Sequence, residues 1–137
     1  MNKFMMAVQR LGIPTGPAMV LTVPGRKSSR PRSTPITPFE FQGGLYAVAG
    51  YPGAEWAMNA RAAGIGTLTR GRKARRVSIV EPPAAELRAV LRAYPAKVPV
   101  GVAFAKRAGT VRDGTPDEFE ALAGRIAVFR FDPIPAP

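Results

Sequence analysis

The stretch Gly25-Arg26-Lys27-Ser28-Ser29-Arg30-Pro31-Arg32-Ser33-Thr34-Pro35 packs four cations and four hydroxyls into eleven residues. A turn that offers guanidinium and ammonium groups beside hydroxyls and free backbone amides is what a phosphate or carboxylate needs, and each charge-assisted contact contributes about 1.5–3 kcal/mol. The spacing around Lys27 is not that of a phosphate-binding GxxxxGK loop, and no GxGxxG follows a strand. The bland alternative is a solvated basic hairpin without a ligand. A second constellation, Ala49-Gly50-Tyr51-Pro52-Gly53-Ala54-Glu55-Trp56-Ala57-Met58-Asn59, sets small residues at a strand end just before the single tryptophan. Small residues let a ligand approach the backbone, and the place suits a flat ring. Trp56 can equally be a core anchor, and Asn59 a cap. A third, Arg70-Gly71-Arg72-Lys73-Ala74-Arg75-Arg76, holds five cations in seven residues. It reads as a nucleic-acid patch or as a solvated turn, and the absence of aromatics from residues 60–93 weighs against nucleic acid.

What is missing narrows the chemistry further. The chain has no histidine and no cysteine, so no Ser-His-Asp triad, cysteine nucleophile, disulfide or His- or Cys-ligated metal can be built from it. Asp117, Glu118 and Glu120 read as the start of a helix rather than as a metal cage. No catalytic side chain and no metal ligand is assigned; if the protein is an enzyme, a cofactor carries the hard chemistry. The net charge of +11 is concentrated in residues 1–77, with 12 Lys/Arg against 2 Asp/Glu, while the rest holds 8 against 7. That half expects an anion: a phosphorylated or carboxylated small molecule, nucleic acid or an anionic lipid surface.

The elements that must position these groups fit one domain over residues 1–137. Met1, Phe4, Met5, Val8 and Leu11 recur at helical spacing, giving an amphipathic helix over residues 1–12 that packs on the domain or makes a membrane-surface or homodimer contact. Ala18 to Val23 is a buried strand, and Ser33 to Phe41 an edge or bulged strand because of its prolines. Gly43-Gly44 turns into a strand over Leu45 to Ala49. A short helix, AEWAMNARAAG, ends at Gly64. Strands at Ile65 to Thr69 and Arg75 to Val80, a helix from Ala84 to Tyr94 and a last strand from Ile126 to Phe131 follow. Residues 95–115 are strand-like in VPVGVAF and otherwise loop. Thr115 is the expected cap of a further helix, with Glu118 in the capping-box position, and 132–137 form a tail. About six short strands with inserted helices make an α+β fold, a small, mostly antiparallel barrel. No segment approaches a membrane span, and the N-terminus lacks a signal-peptide pattern, so a cytoplasmic location, with or without membrane association, is expected.

In this order GRKSSRPRSTP, LYAVAGYPGAEWAMNARAAG and TLTRGRKARRVSIVE resemble the actinobacterial deazaflavin-dependent nitroreductase family, which includes quinone reductases using coenzyme F-420. The resemblance covers residues 18–94 and, loosely, the C-terminal third. It implies a split β-barrel and hydride transfer from the reduced 8-hydroxy-5-deazaflavin to a quinone, nitroaromatic or activated alkene. It also implies cofactor contacts from Arg26, Lys27, Ser28, Arg32, Ser33, Thr34, Pro35 and Ile36, and from Ala49, Gly50, Tyr51, Glu55, Trp56 and Asn59. Where members place a C-terminal tyrosine over the ring, this chain has Phe119. The cofactor's polyglutamate tail falls to Arg72, Lys73 or Arg75. The acceptor wall falls to residues 1–17 and 95–122. An FMN-dependent split-barrel oxidoreductase and a non-catalytic deazaflavin carrier are the alternatives; a nucleic-acid or anionic-lipid module is a further one.

Overall fold

The computed structural model describes residues 18–135. The helix expected over residues 1–12 lies outside them. Seven strands, β1 (Met19–Pro24), β2 (Pro31–Ile36), β3 (Phe39–Phe41), β4 (Gly44–Val48), β5 (Ile65–Arg70), β6 (Lys73–Val80) and β7 (Val128–Pro133), form one curled sheet. Their order is β2-β1-β5-β6-β7-β4-β3, and every neighbouring pair is antiparallel. Among the described residues four helices are interposed: α1 (Glu55–Ala63), α2 (Ala84–Lys97), α3 (Pro99–Arg107) and α4 (Pro116–Glu120). This is the α+β split-barrel architecture the sequence implied.

Alternation along the strands divides the interior in two. On β4 and β7, Ala47, Phe129 and Phe131 face one cluster with Leu21, Val23, Leu68, Val77 and the alanines of α1. Tyr46 and Val128 face the other with Phe39, Val90, Leu91, Tyr94, Val98, Ala105 and Phe119. Helix α1 therefore covers one face of the sheet and α2 to α4 the other. Ala57 and Ala60 bring α1 close to the sheet, and Gly64 ends it in the left-handed region at φ 71°. Arg92 of α2 reaches Asp117 and Glu120 of α4 at 2.6 and 2.8 Å, and Thr115 and Glu118 complete the capping box.

Five expectations are corrected. The run Ser33 to Phe41 is two strands rather than one, interrupted at Thr37-Pro38, and they lie on the two opposite edges of the sheet. Proline supplies no N–H to a ladder, which is why this run ends up at edges. The hairpin turn is Gln42-Gly43, both at positive φ, 48° and 82°, with Phe41 paired to Gly44; that is the two-residue loop that matches strand twist. The valine-rich segment VPVGVAF is helix α3, started by Pro99 in its first turn. Helix α2 also runs on through Pro95 to Lys97, and β7 extends to Pro133, into what was read as tail.

Candidate functional site

The turn between β1 and β2 is closed by Gly25 N–H donating to the Arg30 carbonyl at 2.8 Å and Ser29 N–H donating to the Gly25 carbonyl at 2.9 Å. A Cβ at Gly25 would stand 2.9 Å from Ser28 Oγ and 3.3 Å from the Arg32 side chain, so glycine there lets both side chains fold back over the turn. Glu55 and Asn59 are one helical turn apart on α1 and meet this loop together. Arg26 donates its backbone N–H to Asn59 Oδ1 at 3.2 Å. Its Nη1 donates to Asn59 Oδ1 at 2.7 Å and to Glu55 Oε2 at 2.9 Å. The hydrogen bond from Arg26, then its charge, holds the Glu55 carboxyl below its usual range, with Lys27 and Arg32 adding to the effect. Among the described residues Lys27 and Arg32 themselves make no ion pair. The result is a basic cavity of about 450 Å³ floored by the turn and walled by β2 and α1.

A second cavity of about 440 Å³ shares Thr34 and Trp56 with the first. Its walls are largely apolar: Pro35 and Ile36 on β2, Val48 and Gly50 at the end of β4, and Val98, Val100 and Phe104 on and before α3. Trp56 is braced edge-on by Phe129, with ring centroids 5.9 Å apart. Tyr51 and Phe104 lean together at 5.8 Å. A Cβ at Gly50 would lie 2.6 Å from the Phe104 ring, so glycine there lets the ring rest against the strand end. Thr110 Oγ1 donates to the Gly50 carbonyl at 2.7 Å and ties the segment after α3 to the strand end. Tyr94 also lines this cavity. Its ring is held between Phe39 and Phe119 at 5.7 and 5.1 Å, and a Cβ at Gly101 would overlap its hydroxyl. Among the described residues that hydroxyl has no hydrogen-bond partner, and burial pushes the phenol up to about 12.

Of the residues singled out from sequence, Arg26, Lys27, Ser28, Arg32, Ser33, Glu55 and Asn59 line the basic cavity. Pro35, Ile36, Gly50 and Tyr51 line the apolar one, and Thr34 and Trp56 stand where the two meet. Ser33 shares a hydrogen bond with Thr22 across β1 and β2 at 2.8 Å. Ala49 is buried in the core and borders a smaller cavity between α1 and β7. Sequence reading missed Tyr94, Val98, Val100, Gly101 and Phe104 as individuals. The helical spacing of Val98, Val102 and Ala105 was the available signal.

The third basic cluster stands apart. Val20 pairs with Thr69 and Val23 with Arg32, so the tip of the β5–β6 hairpin lies beyond the Met19 end of β1 and the β1–β2 turn beyond the Pro24 end. Those ends are about 17 Å apart along the strand. Arg72 and Lys73 are thus at the far end from the basic cavity. Among the described residues no group of three carboxylates could hold a metal, and no helix is long and apolar enough to cross a membrane.

A family model described as F420H(2)-dependent quinone reductase matches residues 5–113. No curated protein matches the chain significantly. Among solved structures, one described as a domain-swapped dimer is 21% identical with a TM-score of 0.53, covering 95% of each chain. HutZ, the heme storage protein of Vibrio cholerae, is 13% identical with a TM-score of 0.57, covering 98% of this chain and 91% of that one. A nimc/nima family protein from Clostridium acetobutylicum is 18% identical with a TM-score of 0.55, covering 95% and 82%. At these identities the likenesses show the fold.

Proposed function

The chain belongs to the F420H(2)-dependent quinone reductase family, and from that premise we propose that it binds the reduced deazaflavin coenzyme and reduces a quinone, nitroaromatic or activated-alkene acceptor. The observation that carries this reading is the junction of two unlike cavities at Thr34 and Trp56. The coenzyme has a flat ring system at one end, joined to a phosphodiester that leads into its polyglutamate tail. Lys27 and Arg32, unpaired among the described residues, would hold the phosphate, with Ser28 and the backbone amides of the turn as donors. Trp56, Tyr51 and Gly50 would flank the ring.

When bound, the reduced deazaflavin supplies a hydride, which accounts for a site without histidine or cysteine. The protein's part is to orient and to exclude water. Val98, Val100 and Phe104 give the acceptor an apolar wall. The Tyr94 hydroxyl stays protonated throughout the neutral range and would donate a hydrogen bond to an electron-rich acceptor oxygen. The proton itself would come from solvent. Titrating the purified protein with oxidised deazaflavin, FMN and NADPH side by side tests the reading. Micromolar or tighter deazaflavin binding with weaker binding of the other two is the expected result. Equal or tighter binding of FMN or NADPH would overturn it.

A further inference from the structure

A carboxylate in a cavity built for anions calls for an explanation, and Glu55 is such a group. Its side chain is 77% exposed, whereas that of its partner Arg26 is 19% exposed. Arg26 is also bound to Asn59 through both its backbone N–H and its Nη1, so the guanidinium would stay in place even without Glu55. The carboxylate is therefore not needed to hold Arg26; what it changes is charge. Three cations and one carboxylate line the cavity, Arg26, Lys27, Arg32 and Glu55, for a net +2.

We propose that Glu55 sets how much negative charge the basic cavity accepts: it neutralises Arg26, leaves Lys27 and Arg32 for the ligand, and so lowers the cavity's affinity for a pyrophosphate more than its affinity for one phosphodiester. This rests on reading the cavity as a phosphate seat. A second phosphate group would have to settle within Coulomb range of the Glu55 carboxylate or displace it from Arg26. Either way the penalty rises with each charge the ligand brings, while a monoanionic diester bears the least of it. Dinucleotide cofactors, which carry a pyrophosphate, are the class on which Glu55 weighs more.

The test compares dimethyl phosphate and inorganic pyrophosphate as probes, titrated into the wild-type protein, Glu55→Gln and Glu55→Ala at low salt, with the backbone amide shifts of residues 25–34 as readout. An exposed charge pair changes affinity by up to about fivefold. Dimethyl phosphate should therefore tighten by no more than that, and pyrophosphate, with its several charges, by more than tenfold. The gain should fade near 1 M salt, where the screening length is about 3 Å. An unchanged preference in both variants, or a loss of affinity for both probes, overturns the proposal, the latter by showing that Glu55 acts through the placement of Arg26. A wild-type protein that binds both phosphates but not the deazaflavin would overturn the proposed function instead, and leaves the preference readable.

Discussion

Replacing Tyr94 by Phe removes one oxygen and leaves the ring packing between Phe39 and Phe119 unchanged. Tyr94 is 4% exposed, and a buried hydroxyl left without a partner costs about 1–3 kcal/mol. Because it lines an open cavity that admits solvent, the lower end applies. Tyr94→Phe should thus raise the stability of the ligand-free protein by about 1 kcal/mol in urea unfolding at neutral pH. A second signature lies at alkaline pH. The phenol is raised from 10.0 to about 12 by burial, so the folded state keeps a proton that the unfolded state gives up. The associated stability is complete below pH 10 and is lost as pH climbs toward 12, on the order of 3 kcal/mol in all. The difference between wild type and Tyr94→Phe isolates this loss, since Tyr46, raised by burial and then by its hydrogen bond to Glu86, is common to both. Turnover of a quinone-type acceptor should fall about tenfold, the worth of one hydrogen bond, with deazaflavin affinity unchanged. A variant destabilised by more than about 1 kcal/mol, or one that keeps the full alkaline loss, would refute the reasoning by showing that the hydroxyl is structural or that its burial does not govern its ionisation.

Lys27→Ala and Arg32→Ala should each weaken deazaflavin binding by about 1.5–3 kcal/mol, roughly 10- to 150-fold, by calorimetry; a change below about twofold in both would leave the turn a solvated hairpin. Tyr51→Phe should keep most of its quinone turnover, whereas Tyr51→Ala should lose cofactor affinity with its aromatic contact area; steady-state kinetics and binding on the pair would expose a hundredfold fall for Phe if its hydroxyl were the proton donor. Glu118 accepts backbone N–H groups from Arg112, Asp113, Gly114 and Thr115 at 2.7 to 3.2 Å, and these, the Arg112 N–H foremost, lower its carboxyl to about 2. Its contribution is present above pH 4.5 and lost as pH falls toward 2, so Glu118→Gln should flatten that limb of an acid-unfolding curve. An identical limb in both proteins would argue against it.

Features fixed by chemistry within a few residues were legible. Gly64 ends α1 because only a residue tolerant of positive φ closes that turn, and Thr115 and Glu118 announced a helix start by the reciprocal bonds they can form. Residues 98–104 were not. Three valines in a row of apolar residues favour a strand locally, and what makes the segment helical is the cluster of Tyr94, Val111 and Phe119 that Val98 and Ala105 join. The same nonlocality hid the second half of the site. GRKSSRPR declares an anion seat in one stretch of chain, whereas the apolar cavity draws on β2, the end of β4, α2 and α3, whose meeting depends on strand order. Prolines 35 and 38 correctly marked edges, yet nothing local says that one run supplies both edges of the same sheet.

That arrangement governs the width of the cleft. A flat sheet of seven strands would separate its outer members by about 29 Å, at roughly 4.8 Å per neighbour. Between Ile36 and Phe39, the facing ends of those outer members, the chain takes only three steps, which reach about 11 Å at full stretch. Flatness is therefore forbidden by the covalent chain itself, and Thr37-Pro38 acts as a clasp that draws the sheet shut. Because Ile36 and Thr37 also line the apolar cavity, the length of the clasp meters the opening. Residues inserted there would relax the curl and widen the pocket from its own rim.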